Sequence, residues 1–341
     1  MRKITIFSLT SEKPFFMDCA EIAQKEKEML KKICAFLLII GAALLCGCKN
    51  GVDNSGKLKI VTTIFPAYDF ARSVFGDTAE VTMLLKPGME SHSYDPSAKD
   101  VVKIDECDLF IYNGGESDKW VENILKSTDN VNAMKMVDAV EMLGEEHTEG
   151  MTADEHDDHN HDDEEEYDEH IWTSPKNAAL IVASVRDKAK EISPENAAVF
   201  EKNAADYIEK INSLDKRFEE LLTGEKRYFV FGDRFPLLYF FKEYGLKYYA
   251  AFPGCGSETE PSAQTISFLS KKLGESDAVK TVFYIELSNH KLAENLAAEN
   301  NLPIAEFHTC HNITSDDFEA GENYVSLMER NYETLKTALG K

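Results

Sequence analysis

The chain has 341 residues, a hydrophobic fraction of 43% and a formal net charge of −24. That length supports two compact lobes with real cores, and a charge of that sign and size excludes nucleic acid and an anionic membrane surface as partners. Much of the charge lies in one acidic run, residues 145–169, so the remainder is only mildly acidic.

The N-terminus reads as an address. From Met29 the stretch MLKKICAFLLIIGAALLCGC places a Lys pair before an apolar core and then small residues. An apolar core of about a dozen residues suits a secretory signal better than a spanning helix, which stays open as the alternative. The run ends in Leu45-Cys46-Gly47-Cys48 and resembles a bacterial lipobox, with Cys48 as the lipidated first residue of the mature chain. Residues 1–48 are therefore read as a signal region, with 1–28 a mis-called start, and 49–57 as a polar tether. Of the later cysteines, Cys107 lies in an apolar run and is read as a buried thiol. Cys255 and Cys310 lie in loop-like sequence, and an exported chain can join them in a disulfide; sequence alone does not decide whether they meet.

Strands and helices alternate through residues 58–174. LKIVTTIF, AEVTMLL, DLFIYNG and VNAMKMVDA read as strands. AYDFARSVFG and the segments around 96–105 and 118–127 read as helices. Residues 175–224 read as helical, and SPENAAVFEKNAADYIEKINSLDKRFEELLTG contains one long helix, 194–223. Ser193 can cap it, Pro194 suits its first position and Gly224 its stop. Residues 225–341 repeat the plan. RYFVFGD, KYYAAFPG, KTVFYIE and PIAEFHT are strands, AQTISFLSKKLGE and HKLAENLAAENN are helices, and a C-terminal helix starts at Thr314 or Ser315. The fold class is α/β: two (β/α) lobes with parallel-rich four-stranded sheets, joined by one long rigid helix.

Parallel α/β sheets bind ligands beyond the carboxyl ends of their strands, and several metal-ligating side chains fall there. His92 follows the second strand in a loop marked by Pro87 and Gly88. His170, in DEHIWTSPKN, is anchored by Ile171-Trp172 and Pro175. His308 ends PIAEFH and is followed by Cys310 and His311; Asp233 ends FVFGD, and Glu286 is a weaker candidate of the same kind. Each has a bland alternative. A loop histidine is more often a surface group, and Asp233 could pair with Arg234 or cap the next helix. Together they supply imidazole and carboxylate donors from both halves, as a metal site at a lobe interface requires. Three imidazoles and a carboxylate form a four-coordinate set natural for Zn²⁺.

The acidic run, 145–169, is too polar to fold alone. Solvation needs only Asp and Glu, however, and does not account for His147, His156, His159 and His161. His-rich tracts in exported chains bind metal, so this run is read as a weak, exchangeable metal-collecting loop that belongs to the first lobe. No H-E-x-x-H, C-x-x-C, phosphate-cradling glycine motif or serine nucleophile elbow occurs.

In combination these motifs resemble the zinc-binding lipoproteins of ABC transporters, the cluster A-I metal-binding family. GMESHSYDPS resembles the first ligand motif and carries a metal histidine onto His92; DEHIWTSPKNA resembles the second and carries one onto His170. CGSETEPS matches a family loop in part. Where the family has a histidine before a YFAKRYGL-like stretch, this chain has FGDRFPLLYFFKEYGL, with Asp233 as the nearest donor; His308 takes the place of the last acidic ligand. The resemblance implies a lipid-anchored extracytoplasmic monomer that captures Zn²⁺ and delivers it to an ABC permease and its ATPase. It implies no enzyme activity. The alternatives are a zinc-dependent hydrolase, which would use an open metal position, and a surface adhesin or metal buffer without a transporter.

Overall fold

The computed structural model describes residues 56–89, 94–128, 131–152, 167–254 and 260–341. Cys48, His92, His156, His159, His161 and Cys255 lie outside them. Residues 57–341 form one compact unit.

The first sheet comprises β1 (Leu58–Thr62), β2 (Ala79–Met83), β3 (Leu109–Tyr112) and β4 (Ala133–Lys135), with helices α1 (Phe65–Phe75), α2 (Ala98–Asp105) and α3 (Lys119–Ser127) between them. All its pairs are parallel and the order is β2-β1-β3-β4. Alternation along each strand sends side chains to opposite faces. Ile60, Leu109 and Ile111 pack with α1 in the main core, while Val61 and Phe110 meet Ile104, Val121 and Ile124 of α2 and α3. With both faces covered, a fully parallel sheet is stable.

Two helices, α4 (Pro175–Ile192) and α5 (Ala197–Leu222), pack on one another and on α1 before the second sheet begins. That sheet holds β5 (Tyr228–Arg234), β6 (Lys247–Phe252), β7 (Ala278–Tyr284) and β8 (Ile304–Glu306) in the order β6-β5-β7-β8, again all parallel. It is interleaved with α6 (Leu238–Glu243), α7 (Ala263–Gly274) and α8 (Lys291–Asn300) and followed by α9 (Ser315–Ala320) and α10 (Tyr324–Leu339). Phe229, Phe231 and Phe283 face the main core; Tyr228, Val230 and Val282 face Leu269, Leu273, Ala293 and Leu296 of α7 and α8. Gly232 permits this packing, because a Cβ there would lie 2.6 Å from the Ala293 backbone. The main core runs without a break through both lobes.

Three expectations need correction. The long helix is α5, 26 residues and about 39 Å at 1.5 Å per residue. A 3-10 turn, Pro194–Asn196, precedes it, because the Ser193 hydroxyl bonds the Glu195 carboxylate (2.6 Å) and does not cap. The C-terminal helix is two helices. Thr314 caps α9, Gly321 ends it at φ +79°, and Asn323 opens α10 with a capping box to Ser326. The start of the acidic run is ordered and lies on the second lobe. Thr152 N donates to Ala251 O (2.9 Å), the Thr152 and Thr265 hydroxyls are 2.8 Å apart, and Lys242 pairs with Glu146.

Candidate functional site

His170 occupies a 3-10 turn, Ile171–Thr173 with His170 at its cap, immediately before α4. Asp168 Oδ1 accepts from His170 N (2.7 Å) and lies 3.0 Å from Nδ1, and both side chains are buried. This pairing keeps the proton on Nδ1 and leaves the Nε2 lone pair as the donor. Burial disfavours the imidazolium, but the Asp168 charge and hydrogen bond and the nearby Glu169 outweigh it, so the His170 pKa is raised. Glu169 accepts from Ser117 N (3.1 Å), and Asn113 Nδ2 donates to Glu169 O (2.9 Å), tying the turn to the end of β3. Trp172 Nε1 donates to Thr309 O (2.9 Å), and Tyr324 Oη donates to Trp172 O (2.9 Å). The Pro175 start and the Ser174 cap then fix where α4 begins.

The opposite wall is the segment after β8. His308 N donates to Asn331 Oδ1 (2.7 Å), Asn331 Nδ2 donates back to His308 O (2.7 Å), and Thr309 N donates to Glu286 Oε2 (2.7 Å). The Thr309 hydroxyl also donates to Glu286. Cys310 takes a left-handed φ of +60°, which turns the chain and brings His311 round to His170. The two rings are 5.3 Å apart between centroids, and His311 is 5.1 Å from the Trp172 ring. Asn312 Nδ2 donates to Met89 O and Gly88 N donates to Ile313 O (2.9 Å), so the loop after β2 is bonded to the same segment.

These elements border a half-open cavity of about 40 Å³. His170, His311, Arg234, Glu286, Thr309 and Asn312 supply its polar lining, and Met89 and Leu287 are among its apolar residues. Of the expected ligands, His170 lines it. His308 does not. It is buried, its Nδ1 accepts from Cys310 N (2.9 Å), and its Nε2 has no hydrogen-bond partner among the described residues. Its neighbour two residues on, Cys310, is a free thiol, fully buried, with its pKa pushed far up by burial and then by Glu286. Asp233 does not line it either. Its carboxylate accepts from Arg234 N (2.8 Å) and Ile285 N (3.2 Å), holding the ends of β5 and β7 together. A register shift between Phe231 and Arg234 in the β5–β6 pair puts Arg234 at the cavity in its place.

Sequence reasoning noted His311 only as a follower of His308 and Arg234 only as a partner of Asp233. Glu286, the weaker candidate, does line the cavity. His147 lies away from it on the ordered stalk, half-exposed and 3.9 Å from Glu145. Cys107 is part-buried, with its pKa pushed up to about 11 by burial and Asp108. Among the described residues no group of three or more His, Cys, Asp or Glu side chains closes a full metal cage, and Met89 is the last described residue before the segment 90–93 that contains His92.

Two parallel lobes of identical strand order, with imidazoles meeting in a cavity beyond the strand ends, define a two-lobe ligand-binding protein. The model of the ZnuA family, zinc-uptake complex component A, periplasmic, matches residues 60–338, and the chain belongs to this family. It is 36% identical over 313 residues to the zinc-binding lipoprotein AdcA of Streptococcus pneumoniae, covering 90% of this chain and 61% of AdcA. The chain thus spans less than two thirds of that relative. It is 31% identical over 319 residues to the high-affinity zinc uptake system protein ZnuA of Bacillus subtilis, covering 90% of this chain and 96% of that one. Its fold superposes on the Zn(II)-bound ZnuA-like domain of S. pneumoniae AdcA with a TM-score of 0.69 at 34% identity, covering 84% of this chain and all of that domain.

Proposed function

We propose that the chain captures Zn²⁺ outside the cytoplasm and delivers it to an ABC permease and its ATPase, as a monomer held to the membrane through a lipid on Cys48. The observation that carries this reading is the His170–His311 pair at one cavity, 5.3 Å between ring centroids. A Zn²⁺ ion at about 2.0–2.1 Å from one nitrogen of each ring can bridge that spacing. Neutral imidazoles favour Zn²⁺ over the oxygen-seeking Mg²⁺ and Ca²⁺. The carboxylate behind His170 is the outer partner that a metal-bound imidazole requires.

His170 and His311 supply two donors, and His92, which follows Met89 in the sequence, is the third. His308 is replaced by His311 in this set. Capture is fed by His147, His156, His159 and His161, whose acidic surroundings attract cations and whose sites are weak and exchangeable. The membership of the family and the names of its zinc-binding relatives support the cargo.

Competition titration against a zinc chelator tests this reading on the wild type, His92→Ala and His170→Ala. Each variant should lose the tight site. Tight binding that survives both substitutions overturns the proposal.

A further inference from the structure

Trp172 is fully buried and stands against both imidazoles. Its ring centroid lies 5.5 Å from that of His170 and 5.1 Å from that of His311, and the two imidazoles are 5.3 Å apart. The three rings mark a nearly equilateral triangle. The indole is also pinned from outside that triangle. Its Nε1–H donates to Thr309 O (2.9 Å), 137 positions along the chain and two residues before His311. Thr309 is bonded in turn to Glu286 through both its N–H and its hydroxyl. At the backbone of the same residue, Tyr324 Oη donates to Trp172 O (2.9 Å), and Tyr324 N donates to the buried Asp69 carboxylate (3.0 Å). One side chain thus ties the turn that carries His170 to the segment that carries His311.

Filling this space needs only an aromatic ring. The indole adds a single N–H donor, fixed in direction by the plane of the ring. Bonded to Thr309 O, that donor sets where the second imidazole stands relative to the first. The spacing matters, because zinc–nitrogen distances tolerate a departure of only about 0.2 Å. We propose that Trp172 is a positioning residue of the metal site: it makes no bond to the ion and sets the separation of His170 and His311 through the Nε1–Thr309 bond. The inference rests on the proposed zinc reading and names the residue that spaces its two described donors.

The full chain is compared with Trp172→Phe and with a chain in which benzothienylalanine replaces Trp172. That isostere keeps the bicyclic shape and lacks the N–H. Zinc affinity is read by chelator competition, and ligand geometry by the d–d absorption of bound cobalt(II). Both changed chains should bind zinc about 10–100-fold more weakly, as loss of an outer-shell partner does. Their cobalt bands should shift, because ligand placement sets the coordination geometry. A Trp172 that only stabilises the fold would lower the unfolding midpoint and leave the bands in place. Trp120→Phe leaves Trp172 as the only tryptophan, and zinc should then change its fluorescence. Affinity or cobalt bands that stay at wild-type values in the benzothienylalanine chain overturn the inference, whatever Trp172→Phe does. Trp172 fluorescence that ignores bound zinc overturns it as well. A wild type that binds no zinc overturns the zinc reading itself.

Discussion

The two lobes share one strand order and differ in what fills them. In the first, the strands bury Ile60, Val61, Leu109, Phe110 and Ile111. In the second, Phe229, Phe231, Phe235, Phe240, Phe241, Phe283, Phe307 and Tyr248 form a continuous ring network, with Phe231 touching four other rings at centroid distances of 5.0 to 6.3 Å. The second lobe also supplies most of the cavity: Arg234, Glu286, Thr309, His311 and Asn312 against Met89 from the first lobe and His170 at the junction. The aromatic network of the second lobe, whose rings pack at defined geometries, is the platform that carries most of the cavity lining.

The largest expected effect is on the platform. Phe231→Ala should lower stability by about 3–5 kcal/mol, read by denaturant unfolding of the metal-free chain. A loss under about 1 kcal/mol would show that the aromatic network is not the platform. His311→Ala leaves that network intact and removes a donor. It should weaken zinc by more than the roughly hundredfold that loss of a supporting residue costs, with little change in metal-free stability. Asp168→Asn keeps the His170 ring but weakens its support, and zinc affinity should fall about 10–100-fold in the same titration.

The pH dependence sharpens the contrast between the walls. His170 has a pKa raised above its ordinary 6.5: burial lowers it, but the charge and hydrogen bond of Asp168, and Glu169, raise it more. For the metal-free chain the sign follows from linkage. The stabilisation from protonated His170 is fully present below 6.5 and is lost as pH rises through the raised pKa. Zinc needs the neutral ring, so affinity should fall on acidification with a midpoint above 6.5. Affinity that holds until well below that pH would contradict the assignment of Asp168, and Asp168→Asn should move the midpoint down.

The smallest effect separates two neighbours. His308→Gln alters a residue buried beside the cavity, and zinc affinity should change by less than about threefold. A collapse of affinity would restore His308 as a ligand and displace His311.

What was legible in the sequence follows the range of the interactions involved. The eight strands and the parallel order of the lobes came from local alternation and turn chemistry. His170 stood out because Asp168, Trp172 and Pro175 surround it in sequence as they do in space. The rest depended on backbone turns that composition does not encode. One positive φ at Cys310 decides that His311, and not His308, meets His170. One register shift in β5 decides that Arg234, and not Asp233, reaches the cavity. The stalk of the acidic run crosses to the second lobe through Thr152 and Ala251, and no local pattern reports that contact.

Anomalous diffraction at the zinc edge from crystals of the zinc-loaded chain separates His311 from His308 and Asp233 as a ligand. One strong peak is expected in the cavity, about 2.0–2.1 Å from a nitrogen of both His170 and His311. A peak coordinated by His308 or Asp233, or no peak between His170 and His311, would contradict it.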